Sequence, residues 1–291
     1  MTSDAQANLQ ASVRQRLLNI ARSDGTDFQL VLTRYGLERF LHRLGRSSHK
    51  DAFLLKGAFL FHAWQADVDR PTRDLDLLGR GSPDIARLEA VFADIVGTDV
   101  EDDGLDFRAD SIHGEAIREA ALYDGIRIRL GARLGRVRIP LQIDVGFGDA
   151  AALAAVELEY PTLLDQSPPT VLAYRPEYVI AEKLEALIAL GEINTRLKDY
   201  YDLWRLTRTM DLPRDDVVAA IRATFARRGS AVPDQVPPGL ADGFASPGKS
   251  GMWAAFLARN GLEASAGSLS DVVRELRSRL GPLLQDAGRG G

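Results

Sequence analysis

The stretch from Ile126 to Phe147 constrains this chain more than any other. Ile126, Ile128, Leu130, Ala132 and Leu134 alternate with arginine and glycine. Val137, Ile139, Leu141, Ile143, Val145 and Phe147 alternate with Arg138, Pro140, Gln142, Asp144 and Gly146. Successive strand residues point to opposite faces, so each run has one apolar and one polar face. Only Gly135-Arg136 separates the runs, which suits a β-hairpin laid with one face on a core. Pro140 has no N–H for a ladder and points to an edge position or a bulge.

Other segments fill in around the hairpin. Phe53-Leu54-Leu55 reads as a short buried strand, and Asp74 to Leu78 as another, broken by Gly79, Gly81 and Pro83. Helical spacing marks Leu9 to Ala21, Phe28 to Leu44, Ala58 to Trp64 and Asp84 to Val96. After Pro168-Pro169 the pattern is almost all helical: Glu177–Leu190, Arg196–Met210, Pro213 to about Arg228, Trp253–Arg259 and Leu269–Leu284, with Ser230–Gly251 a Pro/Gly/Ser-rich loop. The expected organisation is N-terminal helices plus an α/β core over residues 1–165, then a helical domain over residues 166–291.

Composition narrows the chemistry. There is no cysteine among the 291 residues, which excludes thiolate catalysis and Cys-based zinc sites. The four histidines (His42, His49, His62, His113) form no ligand-spaced pair, so a metal site must be built from carboxylates, the ligands of hard cations such as Mg²⁺. The net charge of −5 argues against a general nucleic-acid binder, yet a local basic patch remains possible in Arg118, Arg127, Arg129, Arg133, Arg136 and Arg138. No apolar run approaches the ~20 residues of a membrane span. The polar start, Met1 to Gln10, lacks the features of a signal peptide, so the expected location is cytoplasmic.

Within the second strand, Asp74 and Asp76 share a face. Two carboxylates so placed repel unless a cation or a proton sits between them. A divalent cation would resolve the conflict and bind nucleotide phosphates; an exposed edge with two solvated aspartates is the plainer alternative. Lys56-Gly57 closes the preceding strand and opens a helix, whose N-terminal N–H groups favour phosphate. Asp144, in Ile143-Asp144-Val145-Gly146, is the best third carboxylate, with Asp149 a weaker rival. In a two-metal centre one cation would activate an attacking hydroxyl and the other neutralise a triphosphate, with Asp144 as base or ligand. Farther on, Asp199 and Asp202 are three apart on one helix face, within reach of Lys183 on a neighbouring helix. That trio reads either as a helix-to-helix ion pair or as a lysine that binds phosphate with two positioning carboxylates.

Five segments in order carry a family resemblance: Lys56-Gly57, Arg70-Pro71-Thr72-Arg73-Asp74-Leu75-Asp76, Ile143-Asp144-Val145-Gly146, Glu182-Lys183-Leu184-Glu185-Ala186-Leu187 and Arg196-Leu197-Lys198-Asp199-Tyr200-Tyr201-Asp202-Leu203. Together they resemble the AbiEii family of nucleotidyltransferase toxins, of which the MenT toxins are close relatives. The resemblance implies a polymerase-β-like α/β core with a mixed sheet, flanked by N-terminal helices and a C-terminal helical bundle. It implies Mg²⁺ (or Mn²⁺), a nucleoside triphosphate, an RNA acceptor such as a tRNA 3′ end, and an AbiEi-like antitoxin from the same operon. By motif match Asp74, Asp76 and Asp144 would hold metal. Lys183 would join them in catalysis, and Lys56, Gly57, Arg70, Thr72, Lys183, Asp199 and Asp202 would line the nucleotide site. One departure stands out: Ala58 follows Lys56-Gly57 where the family often has a second glycine. Two other functions fit the same residues. The acceptor could be a protein hydroxyl, nucleotidylated or phosphorylated, with Thr72 a self-target; or the chain could be a non-catalytic antitoxin-binding effector. The arginines of the hairpin read equally as an RNA-contacting surface or a solvated strand face.

Overall fold

The computed structural model describes residues 3–64, 72–118, 124–147 and 155–289. They divide into two compact units, one formed by the chain up to Ala63 with Thr72–Tyr174, the other chiefly by Arg175–Gly291. Arg70 and Asp149 lie outside the described residues.

The first unit begins with helices α1 (Ser3–Ser23) and α2 (Phe28–Arg46). Asp27 caps α2 by accepting from the backbone N–H groups of Gln29 and Leu30, at 2.9 and 3.2 Å. Strand β1 (Phe53–Lys56) leads through a turn to the short α3 (Leu60–Ala63); then come β2 (Asp74–Gly79) and α4 (Ile85–Val96). The long strands β3 (Leu105–Arg118), β4 (Asp124–Leu134) and β5 (Val137–Phe147) follow, with β6 (Ala155–Glu159) and β7 (Thr170–Tyr174). They form one mixed sheet in the order β3-β4-β5-β2-β1-β7-β6. β5 pairs β2 and β1 pairs β7 in parallel; the other neighbours are antiparallel.

One face of this sheet is the core. Leu75, Leu77, Ile126, Ile128, Leu130, Leu141, Ile143 and Val145 are all buried on it. Helix α2 lies close against the strands there: a Cβ on its Gly36 would come within 2.9 Å of Leu141 Cδ2, so a larger residue would push helix and sheet apart. Phe92 of α4 stacks on Phe40 of α2 at 5.2 Å and meets Phe53 of β1 edge-on at 5.8 Å, which joins the helical layer to the sheet. Burial pushes Glu38 of α2 up to about 7, and the charged form is held by Arg39 at 3.1 Å and by the Leu163 N–H at 2.8 Å.

The second unit is helical: α5 (Pro176–Leu190), α6 (Leu197–Thr209), α7 (Arg214–Arg228), α8 (Pro247–Asn260) and α9 (Leu269–Gly288). Pro176 opens α5 at a position where no N–H is needed. Buried Glu185 of α5 accepts from Arg228 at the end of α7 and from Ser230 Oγ. Trp204 of α6 donates its indole N–H to Glu275 of α9 at 2.8 Å.

The mixed sheet with helices before and after it matches the expected fold class, and the hairpin of β4 and β5 turns at Gly135-Arg136 as its alternation predicts. Pro140 holds a local edge position although β5 as a whole is central: it precedes the first β2 pair at Asp74–Gln142, so its missing N–H costs no bond to β2. Three features differ. β7 is a strand in a segment that reads as helical, because a run as short as Val171–Tyr174 carries no distinguishing period. β3 is an edge strand with an exposed, polar side and an irregularity between Arg108 and His113, which blurs its alternation. α8 starts at Pro247, six residues before the apolar signal of Trp253, since its first turns are exposed.

Candidate active site on the polar face of the sheet

The other face of the sheet carries rows of polar residues, fixed by strand register. In one row Glu115 of β3 pairs with Arg127 of β4, Arg127 with Asp144 of β5, Asp144 with Asp76 of β2, and Asp76 with Lys56 of β1. In the next row His113 pairs with Arg129, Arg129 with Gln142, and Gln142 with Asp74. Residues paired in register project to the same face. Asp74, Asp76 and Asp144 therefore lie together, two on one strand and the third on the adjoining strand, all half-buried. Their sequence neighbours Leu75, Leu77, Ile143 and Val145 point into the core and anchor the strands beneath them.

Three cations border the carboxylates. Lys56 stretches over the sheet, and its Nζ stands 3.1 Å from where a Cβ on Gly146 would be. Arg127 grips Asp144 with two parallel hydrogen bonds, Nε to Oδ1 and Nη2 to Oδ2, both 2.8 Å. That bond, opposed by partial burial and reinforced by Glu115 and Asp74, holds the guanidinium above its ordinary pKa. With its amide oxygen facing Arg127, Gln142 also accepts, at 3.1 Å from Nε and 3.3 Å from Nη2. Arg129 is tied to Glu115 at 2.7 Å.

The turn after β1 shapes the space above Asp76. Gly57 has φ +73, and a Cβ there would fall 2.0 Å from Asp76 Oδ2. Only glycine allows both that backbone and that approach. Leu60 N bonds Gly57 O at 3.3 Å and Phe61 N bonds Ala58 O at 3.1 Å, but α3 is four residues long, too short to serve as the phosphate-binding helix N-terminus that Lys56-Gly57 leads one to expect. Thr72 is half-buried immediately ahead of β2.

The donor set suits a hard divalent cation: three carboxylates on one face of adjacent strands, with a glycine turn whose backbone passes close to Asp76. Among the described residues, however, no three acidic or histidine side chains are already arranged as a metal cage. On this face Asp144 is turned to Arg127. Sequence reasoning placed Arg127 among surface arginines; its grip on Asp144 was readable from the hairpin, because a two-residue turn at Gly135-Arg136 brings these two positions opposite each other.

A second polar cluster lies within the helical unit. Lys183 Nζ of α5 donates to Asp199 Oδ1 at 2.7 Å and to Asp202 Oδ2 at 2.9 Å, both on α6. Arg196 Nε stands 2.8 Å from Asp199 Oδ2. The side chains of Asp199 and Asp202 are 1% and 0% exposed, and that of Lys183 16%. Burial alone would lower the lysine's pKa, but the two carboxylates outweigh it and hold the ammonium above its ordinary value. Burial would likewise raise Asp199, but Lys183 and Arg196 hold it below the ordinary carboxylate range.

A family model described as nucleotidyl transferase AbiEii toxin, type IV TA system, matches residues 39–275. No curated protein matches the chain. Two solved structures from Helicobacter pylori are similar to the chain. JHP933 is 13% identical, with 87% of this chain and 90% of that one covered at a TM-score of 0.48. A second, described as a candidate nucleotidyltransferase, is 13% identical, with 89% and 94% covered at a TM-score of 0.45. Neither likeness bears on what this chain does.

Proposed function

We propose, for a chain that belongs to the AbiEii family of nucleotidyl transferase toxins of type IV toxin–antitoxin systems, that it transfers a nucleotide from a nucleoside triphosphate to an RNA hydroxyl, a tRNA 3′ end, in the presence of Mg²⁺ or Mn²⁺. The observation that carries the reading is the register of Asp76 against Asp144, with Asp74 on the same face. Asp74, Asp76 and Asp144 would hold the metal. When bound, it would neutralise the triphosphate and make the attacking hydroxyl more acidic.

The residues supply the rest. The proton of the attacking hydroxyl passes to a carboxylate oxygen of Asp144, or to solvent where Asp144 serves instead as the ligand that lowers the hydroxyl's pKa. The hydroxyl oxygen bonds the α-phosphorus, the bond to pyrophosphate breaks, and pyrophosphate leaves with the electron pair. Lys56 offers its ammonium to the phosphates as a point charge. Gly57 lets the backbone pass close to Asp76, and Arg70 and Thr72 are nucleotide contacts. Lys183 is a phosphate contact of the helical unit, oriented by Asp199 and Asp202. The partner is an antitoxin from the same operon. No helix among the described residues is long and apolar enough to cross a membrane, which is compatible with action in the cytoplasm.

The test is to incubate the protein with each labelled triphosphate, Mg²⁺ and total cellular RNA, and to resolve the products on a gel. Label on a tRNA-sized band is the expected result, and the triphosphate that gives it identifies the preferred base. Label on the protein alone would favour the second reading, transfer to a protein hydroxyl, with Thr72, two residues before Asp74, as a self-target. Label nowhere would withdraw both.

A further inference from the structure

The Arg127–Asp144 fork occupies both carboxylate oxygens of Asp144, the atoms a divalent cation would use. The pair is only partly exposed, 28% for Arg127 and 15% for Asp144, so solvent screens it incompletely. A dication on Asp144 with the guanidinium still in place would bring two cations side by side, at an electrostatic cost that rises in such surroundings. Arg127 also has a group to turn to: the Gln142 amide oxygen lies within hydrogen-bonding distance, while Glu115, its register neighbour on β3, adds negative charge nearby although it is bound to Arg129.

We propose that Arg127 guards Asp144. In the nucleotide-free protein the guanidinium keeps Asp144 out of metal coordination, so the centre takes one divalent cation on Asp74 and Asp76. A second is admitted at Asp144 only when Arg127 is drawn off. A triphosphate is the ligand suited to draw it, since phosphate oxygens accept the same two-pronged bond as a carboxylate. The guard makes full loading of the site depend on substrate, and Arg127 is thereby a positioning residue that acts through Asp144. The inference rests on the reading of these carboxylates as a metal centre.

Manganese binding to the nucleotide-free protein tests it, with free Mn²⁺ counted by electron paramagnetic resonance. The native chain should take one tight ion. Arg127→Gln should take two, the second site tightening by roughly tenfold or more once the neighbouring positive charge is gone. Arg127→Lys, which keeps the charge but loses the fork, should tighten the second site by a smaller factor, and it keeps the test open if glutamine disturbs β4. Adding Asp144→Asn to Arg127→Gln should return the count to one. Two equally tight ions on the native chain would overturn the guard while leaving the metal centre intact. A single ion on native protein and both Arg127 variants would also overturn it. No ion on any of them would remove the metal centre, and the guard with it.

Discussion

Asp76→Asn should reduce nucleotide transfer by roughly 10³-fold or more, about 4 kcal/mol of transition-state stabilisation, while the protein stays folded. Asp76 is the hub of the polar row, paired in register with both Lys56 and Asp144 and directly under the Gly57 turn. Asparagine keeps the shape of the side chain but removes the charge that a divalent cation and its triphosphate require. Its neighbours Leu75 and Leu77 are wholly buried and hold β2 in place whatever side chain stands between them. The thermal melting of the variant should therefore remain close to native. Transfer within a few-fold of native would mean that the centre of the reaction lies elsewhere. Collapse of the fold would mean that Asp76 is chiefly structural.

The largest effect on stability is expected from Lys183→Met, a loss of about 3–5 kcal/mol in unfolding by denaturant. Methionine fills similar space but removes the ammonium from between two buried carboxylates. Arg196 at the rim of Asp199 offsets only part of the loss. The pH dependence should also change sign. In the native protein Asp199 is held below its ordinary value of 3.8, so its contribution is complete above 3.8 and is lost as pH falls through the lower folded value. Lys183 is held above 10.5, so its contribution is complete below 10.5 and is lost as pH rises through the higher folded value. In the variant a carboxyl left in this buried place has its folded pKa raised above the unfolded one. The penalty then applies at neutral pH and fades as pH falls, so acidification from pH 7 to about 5 should recover part of the loss. Denaturant unfolding at the two pH values measures this directly. A stability indifferent to the substitution would show that the cluster is not holding α5 to α6.

The sequence made some of this legible for plain physical reasons. Strand alternation puts Asp74 with Asp76 and sends Leu75 and Leu77 the other way, and helical spacing puts Asp199 with Asp202; these are local facts. The hairpin of β4 and β5 is nearly as local, since its turn sets its register. The parallel pairing of β2 with β5, which brings Asp76 beside Asp144, joins segments some seventy residues apart, and no local pattern encodes it. The edge strand β3 and the short β7 were hidden for opposite reasons. β3 is too polar on its exposed side to show a clean period, and β7 too short to show any. Arg127 taken alone reads equally as an RNA contact or a solvated side chain; the hairpin register is what sets it opposite Asp144. The order of five motifs along the chain carries the family resemblance, and the family model, matching residues 39–275, spans all five.

On the proposed reading, the face bearing Asp74, Asp76 and Asp144 binds a triphosphate through a divalent cation. Calorimetric titration with a non-hydrolysable nucleoside triphosphate, with Mg²⁺ and again with chelator, tests it most directly on native protein and Asp76→Asn. Native protein should bind markedly more tightly with Mg²⁺ than without, and the variant should lose that difference. Equal affinity in native protein with and without the cation, or an undiminished Mg²⁺ effect in the variant, would contradict the account.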